Sequence, residues 1–540
     1  MIFQAPYLSL LQRVISLGAA LLLFGCSAPD TWYDNAERYT TPTAPNTSAS
    51  LDDARSPAPT LQKKIWLPQA QEGRIALSLE QAVFHALHHN NELLVQRYSP
   101  LIAGTFEQIE RGVFDPELFA ELQYSEIQAT ETSRSTEDRF SVEANDIDAL
   151  AGVRRQFPSG TNLELSLRSG RSRSNRTPVQ QDVRMGLSVT QALLRGYGAA
   201  VNLVDIRQVQ LDTQISLYEL RGFIESLVSD VETTYWRYVL ASQSILIFEQ
   251  SLEVARQQLE EVENRIEVGV IPRNAAAAAR AEVARREQAL IEARSTRNER
   301  RLRLLRLLNV TDNGQLHSTI ATTSQPQTTA SPLTDLDDRL ELALQMRPDL
   351  NEAQLRRRQQ SLEVVRTRNG LLPKLDLFID IGKTGYAETF NNAWSNLRED
   401  NFDLLSGIRL SSYLGNRTAK AKHFAARASR GQAQAALANL RELVKLDVLL
   451  AANEVKRTRE QIEASAVTRM LEEQTLKAEQ ERFSVGDITS LLVAQAQRDL
   501  LVSQLAEIEA VVEYRIALVK LCLAEGSLLE RRGIGLGNSL

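Results

Sequence analysis

The sequence predicts a mostly helical chain that also carries strands of membrane type: a long helical-hairpin α-barrel continuous with a transmembrane β-barrel that several subunits assemble together. Three observations lead there. Two proline-free tracts of roughly 70 residues repeat apolar side chains at helical spacing. Separate groups of segments alternate apolar with polar residues, the period of a strand with one apolar face. The same order of segments then occurs twice along the 540 residues, an internal two-fold repeat.

The first 25 residues read as a signal peptide. Arg13 precedes the apolar stretch from Val14 to Phe24, which is about half the length a spanning helix needs. The stretch ends in Leu23-Phe24-Gly25-Cys26, which resembles the bacterial lipobox. The resemblance implies that Cys26 is lipidated, in a palmitate-bearing anchor, and becomes the first mature residue. Ser27 after it resembles the signal for sorting to the outer membrane. Residues 26–72 form a tether, rich in Thr, Pro, Ser and Ala from Thr40 to Pro59.

The first repeat is assigned to residues 73–317. Ser78 with Gln81 three residues later gives a capping box ahead of a helix carrying Ala82 and Leu87, and a second helix runs through Ile109. Leu118, Ala120, Leu122 and Tyr124 alternate with polar neighbours, as do Leu163, Leu165 and Leu167, and Val183, Met185, Leu187 and Val189. A long helix follows from Val201 to Val268. The dipeptide Val268-Gly269 ends it in a tight turn, and a return helix spans Asn274 to Leu308. The alanine run Ala275 to Ala279 lets helix axes approach closely. Residues 318–334, rich in Ser, Thr, Gln and Pro, are assigned as a linker.

The second repeat, residues 335–540, follows the same course. Arg347-Pro348-Asp349-Leu350 places proline in a first helical turn. Strands follow at Leu375 to Ile381 and Leu404 to Leu410. A long helix covers Arg417 to Val485, Val485-Gly486-Asp487 makes the turn, and a helix from Ile488 to Glu525 returns. At 1.5 Å per residue each long tract is about 100 Å of helix.

Strand count then bears on assembly. A bilayer accepts only closed barrels, and a bacterial barrel needs at least about eight strands, whereas about five are convincing here. One chain cannot close a barrel. If the strands cross a membrane, copies must pool them, and the helices hang from the barrel as a tube. Alternation alone does not separate that from a soluble sheet with one face on a core.

Other classes of function receive little support. A net charge of −6 gives no field for nucleic acid. The two cysteines, Cys26 and Cys522, form neither a disulfide framework nor a zinc pattern. His85, His88 and His89 read as a solvated helix end without acidic partners at ligand spacing, so no metal or other cofactor is expected. No catalytic motif occurs, and no enzyme is expected.

Several motifs together resemble the TolC-like outer membrane efflux protein family from about Leu77 onward. They are Arg347-Pro348-Asp349-Leu350, Leu372-Pro373-Lys374-Leu375-Asp376, Gln191 through Gly198, Leu414-Gly415-Asn416-Arg417, and the two Val-Gly tips. The resemblance implies a homotrimeric duct in the outer membrane of a Gram-negative-type bacterium, extending into the periplasm. Each subunit gives four strands, and the tips at Val268, Gly269, Val485 and Gly486 dock a periplasmic adaptor that joins an inner-membrane pump. It also sets out three departures. Relatives carry proline where this chain has Ala192 and Tyr413, which leaves Gly196, Gly198 and Gly415 to make the strand-to-helix bends. The strand at Leu163 to Arg168, with a partner near Gly152 to Phe157, exceeds the usual four. Leu492 and Gln495 stand where relatives carry gate aspartates, leaving Asp487 as the nearby carboxylate at the entrance. The competing reading is a lipid-anchored periplasmic coiled-coil scaffold, which explains the helices and the lipobox but not alternation at membrane length.

Overall fold

The computed structural model describes residues 74–132, 138–269, 273, 275–310, 317–326, 335–399 and 401–535. The signal, Cys26 and the tether lie outside them, as do residues 270–272 of the first tip and residues 327–334 of the linker.

The chain begins with strand β1 (Arg74–Leu77), then helices α1 (Leu79–His89) and α2 (Asn91–Arg111). Ser78 caps α1 through the expected box: its hydroxyl accepts from the Gln81 amide at 3.2 Å, and the Gln81 side chain accepts from the Ser78 amide at 3.0 Å. Asn90 separates the two helices, its side chain accepting from the Leu93 amide at 2.9 Å and donating to the Leu307 carbonyl at 3.0 Å. Leu93 is buried and Leu94 exposed.

Strands β2 (Glu117–Thr132), β3 (Arg139–Gln156), β4 (Thr161–Ser174) and β5 (Gln180–Ala192) follow. A short α3 (Ala199–Asn202) leads into the 64-residue α4 (Val204–Glu267), and α5 (Ala275–Leu307) returns. Strand β6 (Thr319–Thr322) comes next, then α6 (Leu336–Met346), α7 (Pro348–Asn369), β7 (Lys374–Ala387), α8 (Phe390–Asn396) and β8 (Asp403–Ser411). The 68-residue α9 (Arg417–Ser484), α10 (Ser490–Glu525) and α11 (Leu528–Arg531) complete the chain. No described helix is long and apolar enough to cross a membrane.

Six strands form one antiparallel sheet in the order β2-β3-β4-β5-β7-β8, one more than the sequence count. β6 corrects the linker assignment. Part of that polar segment pairs in parallel with β1, Ile75 opposite Ile320. The pair is held by α4: Tyr235 donates to the Leu77 carbonyl at 3.0 Å and Tyr238 to the Ile320 carbonyl at 2.7 Å. The short strand is legible only through those partners, because four residues carry little periodicity.

The largest core lies around this pair, where Leu220, Val231 and Tyr235 of α4 meet Ile75, Ile516 of α10 and Leu528. His85 corrects the solvated-end reading. It is buried and stacks on His89 at 4.1 Å, and burial foremost, with His89 beside it, lowers its pKa to about 4.

The bends from strand to helix also differ in detail. Gly196 (φ +85°) and Gly198 (φ +92°) serve as expected, but in the second half the left-handed residue is Asn416 (φ +41°) rather than Gly415. Asparagine tolerates that region, and its amide here donates to the Leu371 carbonyl at 3.1 Å.

Candidate functional site

The two ends of the molecule carry the features a conduit needs. At one end, the sheet has two faces. Leu118, Val153, Leu165, Leu187, Ile381 and Leu404 stand directly opposite one another from the first strand to the last. These aliphatic side chains are exposed, from 39% for Leu187 to 80% for Leu118. A row of exposed aliphatics this wide is unfavourable in water and suited to lipid.

The other face is charged and internally paired. Arg154 meets Glu117 at 2.8 Å, Arg168 meets Asp148 at 2.6 Å, and Arg184 meets both Asp380 and Asp403 at 2.6 Å. Glycines make room for the larger groups: a Cβ at Gly382 would lie 2.7 Å from the Arg184 guanidinium. At the outer end of the sheet α8 packs against Gly385 and exposes Phe390 and Trp394.

At the opposite end stand the hairpin tips. Gly269 (φ +76°) and Gly486 (φ +81°) adopt the left-handed conformation expected of them, their amides closing on the carbonyls of Ile266 and Phe483 at 3.0 and 3.1 Å. Val268 and Val485 are exposed at 73% and 80%, and among the described residues no atom lies within 4 Å of a Cβ placed on either glycine. The two tips are neighbours, since Arg265 donates to the Phe483 carbonyl at 3.1 Å and lies over its ring at 4.5 Å. Leu492 and Gln495 are exposed on α10, and the Asp487 carboxylate accepts from Arg482 at 2.9 Å. Asp487 thus has a guanidinium partner within its own tip, one that it shares with Glu479 at 3.1 Å.

One cluster near this end escaped the sequence reading. Buried Glu282 of α5 meets buried Arg286 at 2.8 Å and accepts from Arg498 of α10 at 3.0 Å, joining the two hairpins. Burial lowers the Arg286 pKa, with Glu282 opposing. On a helix with charged residues distributed along most of its length, the sequence gives no sign of which ones face inward. The Ala276 side chain is buried close by, as close helix packing requires. Among the described residues, no group of metal-ligating side chains gathers.

The sequence profile of the outer membrane efflux protein family matches residues 142–310 and 340–527, well over half of the chain. The chain belongs to that family. Its members are outer-membrane channel proteins of efflux, which places this one in the outer membrane and in transport rather than catalysis. Solved structures share the family fold at low identity. The Campylobacter jejuni CmeC outer membrane channel is 16% identical with a TM-score of 0.60, covering 83% of this chain and 86% of that one. The outer membrane protein VceC of Vibrio cholerae is 14% identical with a TM-score of 0.61, covering 83% and 96%. The open Neisseria gonorrhoeae MtrE outer membrane channel is 16% identical with a TM-score of 0.58, covering 83% and 89%. No curated protein matches the chain.

Proposed function

We propose that three copies of this efflux-family chain form a passive exit duct of a tripartite system, anchored by lipid at Cys26 and fed by an inner-membrane pump through a periplasmic adaptor. The observation that carries the reading is the two-faced sheet, aliphatic on one side and charge-lined on the other, with open edges at β2 and β8. An even number of antiparallel strands lets β8 of one copy pair with β2 of the next, which removes edges that would otherwise promote aggregation. Helix faces tell the same story. Val95, Tyr98 and Ile102 of α2 and Leu443, Leu446 and Leu450 of α9 are exposed and gain a neighbour when copies close a tube.

The halves 73–317 and 335–540 are read as duplicated units, each running from a helix pair through strands to a long hairpin. The Val268-Gly269 and Val485-Gly486 tips are the adaptor's docking points, and Asp487, Leu492 and Gln495 flank the entrance. With Asp487 tied to Arg482 and no aspartate at 492 or 495, trivalent cations should block current from the periplasmic side only weakly.

Conductance of the purified mature protein in a planar bilayer tests the duct, and its mass in detergent tests the trimer. Discrete channels from a species of three copies are expected. A stable monomer, or bilayers that stay silent, would overturn the reading. Lipid labelling of the wild type but not of Cys26→Ala tests the anchor.

A further inference from the structure

Resting on the trimeric-duct reading, we propose that the hairpin β3–β4 forms part of the pore wall, so that the trimer closes an eighteen-strand barrel with six strands from each copy. The usual four strands per copy give twelve. The hairpin enters the sheet as two full staves. β3 pairs with β2 along sixteen positions, from Glu117 opposite Arg154 to Thr132 opposite Arg139, and β4 continues the same ladder into β5. An external hairpin would leave β2 beside β5, where instead two strands intervene.

Both faces of the sheet run through the hairpin without a break. The aliphatic row includes Val153 and Leu165, and the charged face includes Arg154, Asp148, Glu164 and Arg168. The inward side of β3 is also built like that of β8. Phe119 stands opposite Gly152, where a Cβ would lie 2.7 Å from the ring, and Arg154 lies over it at 5.4 Å. In the other half, Phe378 stands opposite Gly407, where a Cβ would lie 2.8 Å from the ring, and Arg409 lies over it at 5.1 Å. The acid two residues earlier pairs in register in each case, Glu117 with Arg154 and Asp376 with Arg409.

The turn between β3 and β4 is seated where strands become helices. The Ala192 amide donates to the Gly160 carbonyl at 3.0 Å, the Gly198 amide to the Ser159 carbonyl at 3.1 Å, and Asn202 to the Pro158 carbonyl at 2.9 Å. The approach there leaves no room for a side chain, since a Cβ at Gly160 would fall 2.2 Å from the Gly196 carbonyl oxygen. A hairpin fastened at the membrane's inner edge and paired along its length is a wall element. With strands about 4.8 Å apart and tilted about 40°, eighteen of them span about 36 Å between backbones, against about 24 Å for twelve. An exit of that width lined by paired arginines and carboxylates suits large hydrated solutes.

Spin labels introduced one at a time on full-length protein in phospholipid vesicles test the wall, on a Cys522→Ser background. Along β4, labels at Leu163, Leu165 and Leu167 should collide with dissolved oxygen, and those at Glu164, Ser166 and Arg168 with a water-soluble nickel chelate. This phase should match that of Phe378 to Ile381 on β7. If β7 alternates but β4 meets the chelate on both faces, the hairpin projects into water and the inference fails while the duct reading stands. If neither alternates, both fail. Single-particle images of the unsubstituted protein in nanodiscs give the barrel width independently, and about 24 Å would overturn the eighteen-strand wall.

Discussion

The middle of the helices and their tips use the same kind of coiled packing, yet they are built to opposite ends. Around β1 and β6, α4 and α10 share a continuous core, and carboxylates are buried within it. Glu232 is fully buried and paired with Arg532 at 2.7 and 2.6 Å, while Glu525, equally buried, is held by Arg339, Arg531 and Ser527. At the tips the core shrinks to a few residues such as Val262, Phe483 and Val493, and among the described residues no atom lies within 4 Å of where a side chain on either turn glycine would begin. The contrast teaches where rigidity is concentrated. A middle with dense packing and paired carboxylates holds the helices in register, and the sparsely packed tips are expected to yield at lower cost in free energy.

The sharpest way to break that contrast is Arg532→Leu. It leaves Glu232 buried without a partner, a loss of about 3–5 kcal/mol that should lower the melting temperature seen by circular dichroism. A second probe uses pH. Burial foremost raises the Glu225 pKa to about 7, against the pull of Arg221. Because the folded value lies above the unfolded one, this stabilisation is complete below about pH 4.5 and is lost as pH rises through 7, about 2 kcal/mol between pH 5 and 8. Melting of wild type minus that of Glu225→Gln should therefore fall over this range. A flat difference would remove Glu225 from the account.

Tyr238→Phe is smaller, depriving the Ile320 carbonyl of its donor for about 1 kcal/mol in chemical denaturation. The smallest effect on stability is expected at the tips. Gly486→Val strains a left-handed turn by about 1 kcal/mol locally, so melting should not move, while efflux and adaptor cross-linking drop. Unchanged efflux in that variant would remove the second tip from docking.

Legibility varied with the length of pattern a residue belongs to. The capping box at Ser78, the proline turn at Pro348 and the left-handed glycines at the tips follow from one to four adjacent residues and could be placed directly. The motif at Arg347 was visible as a string, but its task was not. Its guanidinium binds Asp349 at 2.7 Å and Asp447 of α9 at 3.2 Å, and its backbone sits against Gly526, whose φ of +66° admits it where a Cβ would lie 2.9 Å away. The tips were similarly named in sequence without the Glu282 cluster that joins them.

The sequence by itself determined the long helices, their turns, the alternating strands and the family, because each is written in local periodicity or in contiguous motifs. Only the tertiary structure decided that β6 belongs with β1, that His85 is inside, which charges are buried, and that β3 and β4 stand within the sheet. These depend on partners dozens to hundreds of residues away, and a strand's pairing, unlike its period, is a property of the neighbour it meets.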